Sequence, residues 1–225
     1  MKGRVGNVSF YKTKYGFGAR TASGVDGEKI RSHPKYQRTR ENMAEFQQAM
    51  KAVKTFRKAF AEDIKVIADG SLTTRLSSLM SKLVRQDAVN VRGARVVQPV
   101  TTAALQGFEF NKEASLSSAM KIPFTPVFDR STGSFSVELP AFIPKELVIA
   151  PEGATHLVLR ASTAEIDFAG EQVVSRSAQS PPIPVGALAQ DPLSLAVSLP
   201  GSTNPLFLAF GISYVQIING ISYAL

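Results

Sequence analysis

The chain has 225 residues, 44% of them hydrophobic and 20% charged, with a net charge of +8, two histidines and no cysteine. This composition is globular and fills a sizeable core in one large domain or two small ones, which excludes disorder. The missing cysteines exclude disulfides, thiolate metal sites and cysteine nucleophiles.

The charge is unevenly placed. Residues 1–95 carry 20 Lys or Arg against 8 Asp or Glu, a net of +12, and residues 96–225 carry 6 against 10, a net of −4. Such an imbalance points to an anionic partner at the front or to head-to-tail contact between copies. The alternative is a solvated basic helix face with basic loops.

Residues 1–22 predict a small β-hairpin, in which Val8, Phe10, Phe17 and Ala19 sit among Lys12, Lys14, Tyr15 and Gly16. Tyr and Phe favour strands, and Gly16 and Gly18 allow a turn. A lone two-stranded hairpin is marginal in water and must dock on something. Val8, Phe10, Tyr15 and Phe17 are therefore the candidate assembly contacts. Residues 23–38 read as an extended polar linker, because Gly24, Gly27 and Pro34 discourage helix. Residues 1–38 thus form a basic arm.

Residues 40–68 predict a helix. Met43, Phe46, Met50, Val53, Phe56, Phe60, Ile64 and Ile67 recur at steps of three and four, one apolar stripe. Thr39 is its expected N-cap, Asp69-Gly70 its end, and Lys51, Lys54 and Lys58 should face away from the stripe. Ser71 then caps a second helix with the stripe Leu72, Leu76, Leu79, Met80 and Leu83, completing an αα-hairpin. Residues 86–97 break the pattern, so the helical region is 39–97.

Residues 98–225 change character to prolines, turns and short alternating segments. Phe108/Phe110, Phe135/Val137/Leu139 after the turn at 129–133, Leu157/Leu159, Ile166/Phe168 and Leu195/Val197/Leu199 all read as strands. Tyr214–Ile218 and Ile221–Leu225 flank Asn219-Gly220, the strongest short hairpin signal. The expected fold is α+β: an N-terminal β-hairpin and an αα-hairpin followed by an antiparallel β-sandwich.

The N-terminus has no apolar run of signal-peptide length, and no stretch reaches the roughly 18 apolar residues that cross a bilayer. The longest, Pro205–Ile218, is interrupted by Gly211, Ser213 and Gln216. The expected location is cytoplasmic, or an assembled particle released without a signal peptide, and no membrane partner is expected.

Chemistry-bearing motifs are sparse. His33 precedes a proline in the polar segment and His156 lies on the polar phase of a strand, and neither is in a nucleophile context. No G-x-S-x-G, dinucleotide or P-loop pattern is present. Glu165 and Asp167 share one strand face, where carboxylates hold Ca²⁺ or do acid–base work, but the solvent side of an amphipathic strand explains them better. No catalytic, metal or cofactor residue is assigned, no cofactor is expected, and no small-molecule substrate is implied. The remaining cluster is Lys29, Arg31, Lys35, Tyr36, Arg38 and Arg40, a basic run with an aromatic that suits phosphate contact and base stacking.

The segments GRVGNVSFYKTKYGFGART, RSHPKYQRTRENMAEF and LQGFEFN resemble a family of uncharacterised Bacteroidetes proteins of about this length. The resemblance covers most of the chain. It implies a glycine-rich hairpin, a helical region and a β-rich rear, with further residues after the final strand. It implies no activity, cofactor or catalytic residue. The sequence therefore leads to a non-enzymatic structural protein that associates with copies of itself, filament- or virion-like, through its hairpin arm and strand edges. A nucleic-acid-binding protein is the second reading, and an enzyme with an unfamiliar carboxylate site is the third.

Overall fold

The computed structural model describes residues 3–13, 15–21, 25, 27–200 and 203–225. Lys14, Ser23 and Gly24, placed above in the hairpin and the linker, lie outside the described residues. The chain divides into two compact units, Met1–Ala44 and Glu45–Leu225.

The first unit opens with β1 (Gly3–Val5), β2 (Val8–Thr13) and β3 (Gly16–Thr21). They form a three-stranded antiparallel meander, not the two-stranded hairpin expected from sequence. Gly6, at φ 56°, makes the extra turn that brings β1 back onto β2. The linker expectation also fails. α1 (Gly27–Ser32) and a 3-10 turn (Pro34–Tyr36) lead directly into α2 (Gln37–Ala59). Pro34 stands at the start of its turn, where a missing N–H removes no bond. The His33 ring nitrogen Nδ1 caps that turn by accepting from the Lys35 N–H at 3.2 Å. Thr39 consequently lies inside α2 and caps nothing.

α2 ends at Ala59, and α3 (Ala61–Ile67) follows Phe60, so the expected single helix is two. Phe60 has φ −116° and ψ 31°, a kink that keeps its ring buried beside Phe56 at a centroid distance of 5.0 Å. Met43 and Phe46, at the front of the stripe, are exposed, whereas Val53, Phe56 and Phe60 are buried. α4 (Leu72–Arg85) follows Asp69-Gly70 as expected and buries Leu72, Leu76, Met80 and Leu83. After α4 the chain is irregular. Buried Asp87 organises it by accepting from the N–H groups of Val89, Asn90 and Val96 at 2.9–3.2 Å. Burial opposes the charge of Asp87, but these bonds and those from the Asn90 and Gln98 side chains win, holding its carboxyl well below the usual range.

A second 3-10 segment (Pro99–Leu105) and α5 (Leu116–Ala119) bracket Phe108 and Phe110. These two are not in a strand. Gly107, at φ 73°, turns the chain, and the Phe110 carbonyl accepts from the Asp69 N–H instead of from a neighbouring strand. Then come β4 (Thr125–Asp129), β5 (Ser134–Leu139), α6 (Pro144–Leu147), β6 (His156–Asp167), β7 (Gln172–Gln179), β8 (Ile183–Pro184), β9 (Leu193–Ser198), β10 (Leu206–Ile218) and β11 (Ile221–Ala224). The class is α+β. One sheet has the order β4-β5-β9, the other β11-β10-β6-β7 with β8 also on β6, and every pairing is antiparallel. Asn219 and Gly220 both have positive φ, 50° and 79°, as a two-residue hairpin turn requires.

β6 explains how helices and sheets share one interior. Its odd residues Leu157, Leu159 and Ala161 join a core with Val137, Leu139 and Leu195 of the smaller sheet. Its even residues Ala164 and Ile166 join a second core with Phe56, Phe60, Leu76 and Met80 of the helices. The apolar phase changes along the strand because opposite faces are covered at opposite ends.

Candidate functional site: a two-faced sheet and an apolar cleft

The register of β1–β3 sorts its side chains onto two faces. Val5 lies opposite Val8, Phe10 opposite Ala19, and Lys12 opposite Phe17. Cross-strand partners share a face, so Val5, Val8, Phe10, Phe17 and Ala19 form one apolar face edged by Lys12. Lys12 Nζ stands 5.5 Å from the Phe17 ring. The opposite face carries Arg4, Tyr11 and Arg20, with the Arg20 guanidinium 6.0 Å from the Tyr11 ring. Gly18 lies under that ring, where a Cβ would come within 2.8 Å of it. The apolar face is not covered: Val5 is 66% and Phe17 71% exposed. Of the four candidate contacts, Val8, Phe10 and Phe17 share this face, and Tyr15 stands in the turn, 87% exposed.

The basic cluster is divided by the helices that the linker turned out to contain. Arg40 is partly buried and donates to the carbonyls of Ile30 at 2.9 Å and His33 at 3.0 Å, tying α1 to the start of α2. Arg38 pairs with Glu41 at 2.9 Å. Tyr36 packs edge-on to His33, 6.2 Å between centroids. Lys29, Arg31 and Lys35 are exposed, and no ion pair among the described residues is recorded for them. Six residues that look alike in sequence thus split into three positioned internally and three presented to solvent.

In the second unit a cleft of about 1730 Å³ runs beside β10. One wall is Phe56, Phe60, Ile67, Phe108 and Phe110, and the other includes Leu116, Phe124, Pro126 and Ile149. Arg75 holds the first wall in place. It pairs with Asp69 at 2.8 Å, donates to the Glu109 carbonyl at 2.7 Å, and lies 5.1 Å from the Phe108 ring. Asp69 also accepts from the Lys112 N–H, which with the Ser71 bonds and Arg75 holds its carboxyl well below the ordinary range. Deeper in, Asp63 accepts from Arg160 Nε at 3.0 Å and from the Ser162 hydroxyl at 2.8 Å.

The strand along this cleft is paired on one side only. β6 covers Leu206–Val215, but β11 covers only Val215–Ile218 of the other edge. The outer edge of Leu206–Ser213 has no strand partner among the described residues. The Tyr214 carbonyl accepts from the Leu225 N–H at 3.1 Å, so by alternation Leu206, Leu208, Phe210 and Ile212 also aim their main-chain groups outward.

No family model, curated protein or solved structure matches the chain. What it does has to be read from the geometry above. The two carboxylates weighed for acid–base work hold local structure: Glu165 accepts from Asn204 at 2.8 Å, and Asp167 accepts from the N–H groups of Ala169 and Gly170 at 3.0 and 2.9 Å. The His156 ring bonds the adjacent Thr155 hydroxyl at 2.8 Å. Among the described residues, no cluster of three or more His, Asp or Glu suits a metal ion, and no helix is long and apolar enough to cross a membrane.

The cleft and its open edge were missed at the sequence level. The signal was present in Pro205–Ile218, an apolar run on both strand phases, which marks a strand covered on both faces. Only Ile221–Leu225 follows it as a partner, too short to span all of β10.

Proposed function

We propose that this chain is a non-enzymatic structural subunit that associates with copies of itself through its N-terminal sheet and its strand edges. The observation that carries the reading is the apolar face Val5, Val8, Phe10, Phe17 and Ala19, exposed on a small sheet with open edges. An uncovered apolar face on a small sheet marks an interaction site more often than an idle surface. The charge supports it: residues 1–44 hold 10 Lys or Arg against 3 Asp or Glu, while residues 96–225 are net negative. A front-to-rear contact is heterologous, so it closes a ring or extends a filament. The architecture that goes with this reading is a two-layer β-sandwich, supported by the core that Val137, Leu139 and Leu195 share with Leu157 and Leu159. No cofactor or small-molecule substrate enters the reading, and assembled particles released without a signal peptide fit it.

Sedimentation velocity and electron microscopy over a hundredfold concentration range test it. Concentration-dependent particles are expected, and Phe10→Ser with Phe17→Ser should shift the distribution to monomer. A monomer at high concentration and low salt overturns the proposal.

The second reading, nucleic-acid binding, rests on the exposed Lys29, Arg31 and Lys35. Filter binding at two salt concentrations tests it. A steep fall in affinity between them supports phosphate contact, and weak binding without a salt slope removes the idea.

A further inference from the structure

We propose that the open edge of β10, Leu206–Ser213, is the acceptor for β3 of a second copy, which adds to the larger sheet as an extra antiparallel strand. The inference rests on the self-association reading above and names the surfaces that meet.

The acceptor is a gap in a sheet. Eight residues of β10 bond β6 on one side and no strand on the other. The gap continues the line of β11, so a strand placed there meets the same row of outward N–H and C=O groups that β11 uses farther along. Strand addition draws its affinity from these main-chain bonds and its selectivity from pockets for alternate side chains. Here both flanks are apolar, with Phe60 and Phe110 on one side and Phe124 and Ile149 on the other. The occupant must therefore be extended, carry an aromatic or small side chain toward each wall, and keep charge off its middle.

β3 has those properties. Its sequence, GFGART, places Phe17 and Ala19 on one side and Gly16 and Gly18 on the other, with no charge before Arg20. β2 occupies one of its edges and the other is open among the described residues. Six residues extend to about 20 Å, within the roughly 26 Å of the gap. β1 is open as well but has only three residues. Charge favours the same pairing. Exposed Glu62 and Glu113 line the cleft with partly buried Glu109, while Asp63 is already matched by Arg160. Arg4 and Arg20 on the donor's other face supply the complement.

A photo-reactive benzoyl-phenylalanine placed at Phe17 tests the pairing in the full chain. Equal parts of isotope-labelled and unlabelled protein are mixed, irradiated and mapped by peptide mass spectrometry. Mixed-label cross-links into residues 206–213, or into Phe124 and Ile149, are the expected result. In the same assay Leu208→Pro should lower their yield about tenfold. It removes an outward N–H that β6 does not use, and proline is tolerated at such an edge position. Ile149→Lys, which leaves β10 untouched, should lower the yield as well. Particles that cross-link only through each other's N-terminal sheets, or elsewhere on a second copy, overturn this pairing but leave self-association standing. Cross-links confined to one label overturn it by placing β3 against its own chain. Protein that stays monomeric and gives no cross-link removes both proposals.

Discussion

Strands β2–β3 and strands β6–β10 are both antiparallel pairs with apolar residues in alternation, yet they end in opposite environments. In β6–β10 each face finds a cover: Leu157 and Leu159 meet the smaller sheet, and Ala164 and Ile166 meet the helices. In β2–β3 Phe10 and Phe17 stay exposed. Alternation reports which side chains share a face, and something outside the strand decides whether that face is buried.

Truncating Phe60 should have the largest effect on this contrast. The ring is 2% exposed and packs against Phe56 and Phe110. Phe60→Ala should cost about 3–5 kcal/mol, read as a drop in the urea midpoint. Leu159→Ala, on the covered face of β6, should cost about 2–5 kcal/mol by the same measurement. A cost as small as that of a surface change would mean that β6 is no better covered than β2. Gly220→Ala places a side chain at φ 79° in the turn that sets the β10–β11 register. It should cost about 1 kcal/mol in thermal melting. Phe17→Ser should alter monomer stability by less than about 0.5 kcal/mol, while removing self-association.

Acid sharpens the comparison from another side. Asp69 and Asp87 titrate well below their ordinary range in the folded chain. A carboxyl lowered on folding stabilises fully above its unfolded value of about 3.9, and that contribution is lost as pH falls through the folded value. The melting temperature of the wild type should therefore fall steeply below about pH 4. Asp87→Asn should melt lower at pH 7 and show a shallower acid slope. An unchanged slope would mean that Asp87 does not organise its loop.

Much of this fold was legible in the chain. The stripe Leu72, Leu76, Met80 and Leu83 specified α4, and Asn219-Gly220 specified the last hairpin, because in each case a local pattern coincides with the tertiary environment. The failures share a cause. Gly27 and Pro34 discourage helix interiors but are accommodated at starts, so the supposed linker is helical. Phe108 and Phe110 alternate like a strand, but Gly107 turns the chain and Arg75 and Asp69 take the place of a neighbouring strand. For the candidate site, the exposed aromatics of the arm could be named in advance. The β10 cleft could not, since its walls come from segments as distant as Phe56, Phe110 and Ile149.

β6 belongs to two interiors at once, and this bears on how residues 45–225 come apart. Melting the helices strips one side of Ala164 and Ile166, and opening the smaller sheet strips the other side of the same ribbon at Leu157 and Leu159. Neither layer has a backing of its own once the shared strand loosens. The α-rich and β-rich halves, so different in composition, should therefore lose structure in a single cooperative step, with helical and strand signals fading at one temperature.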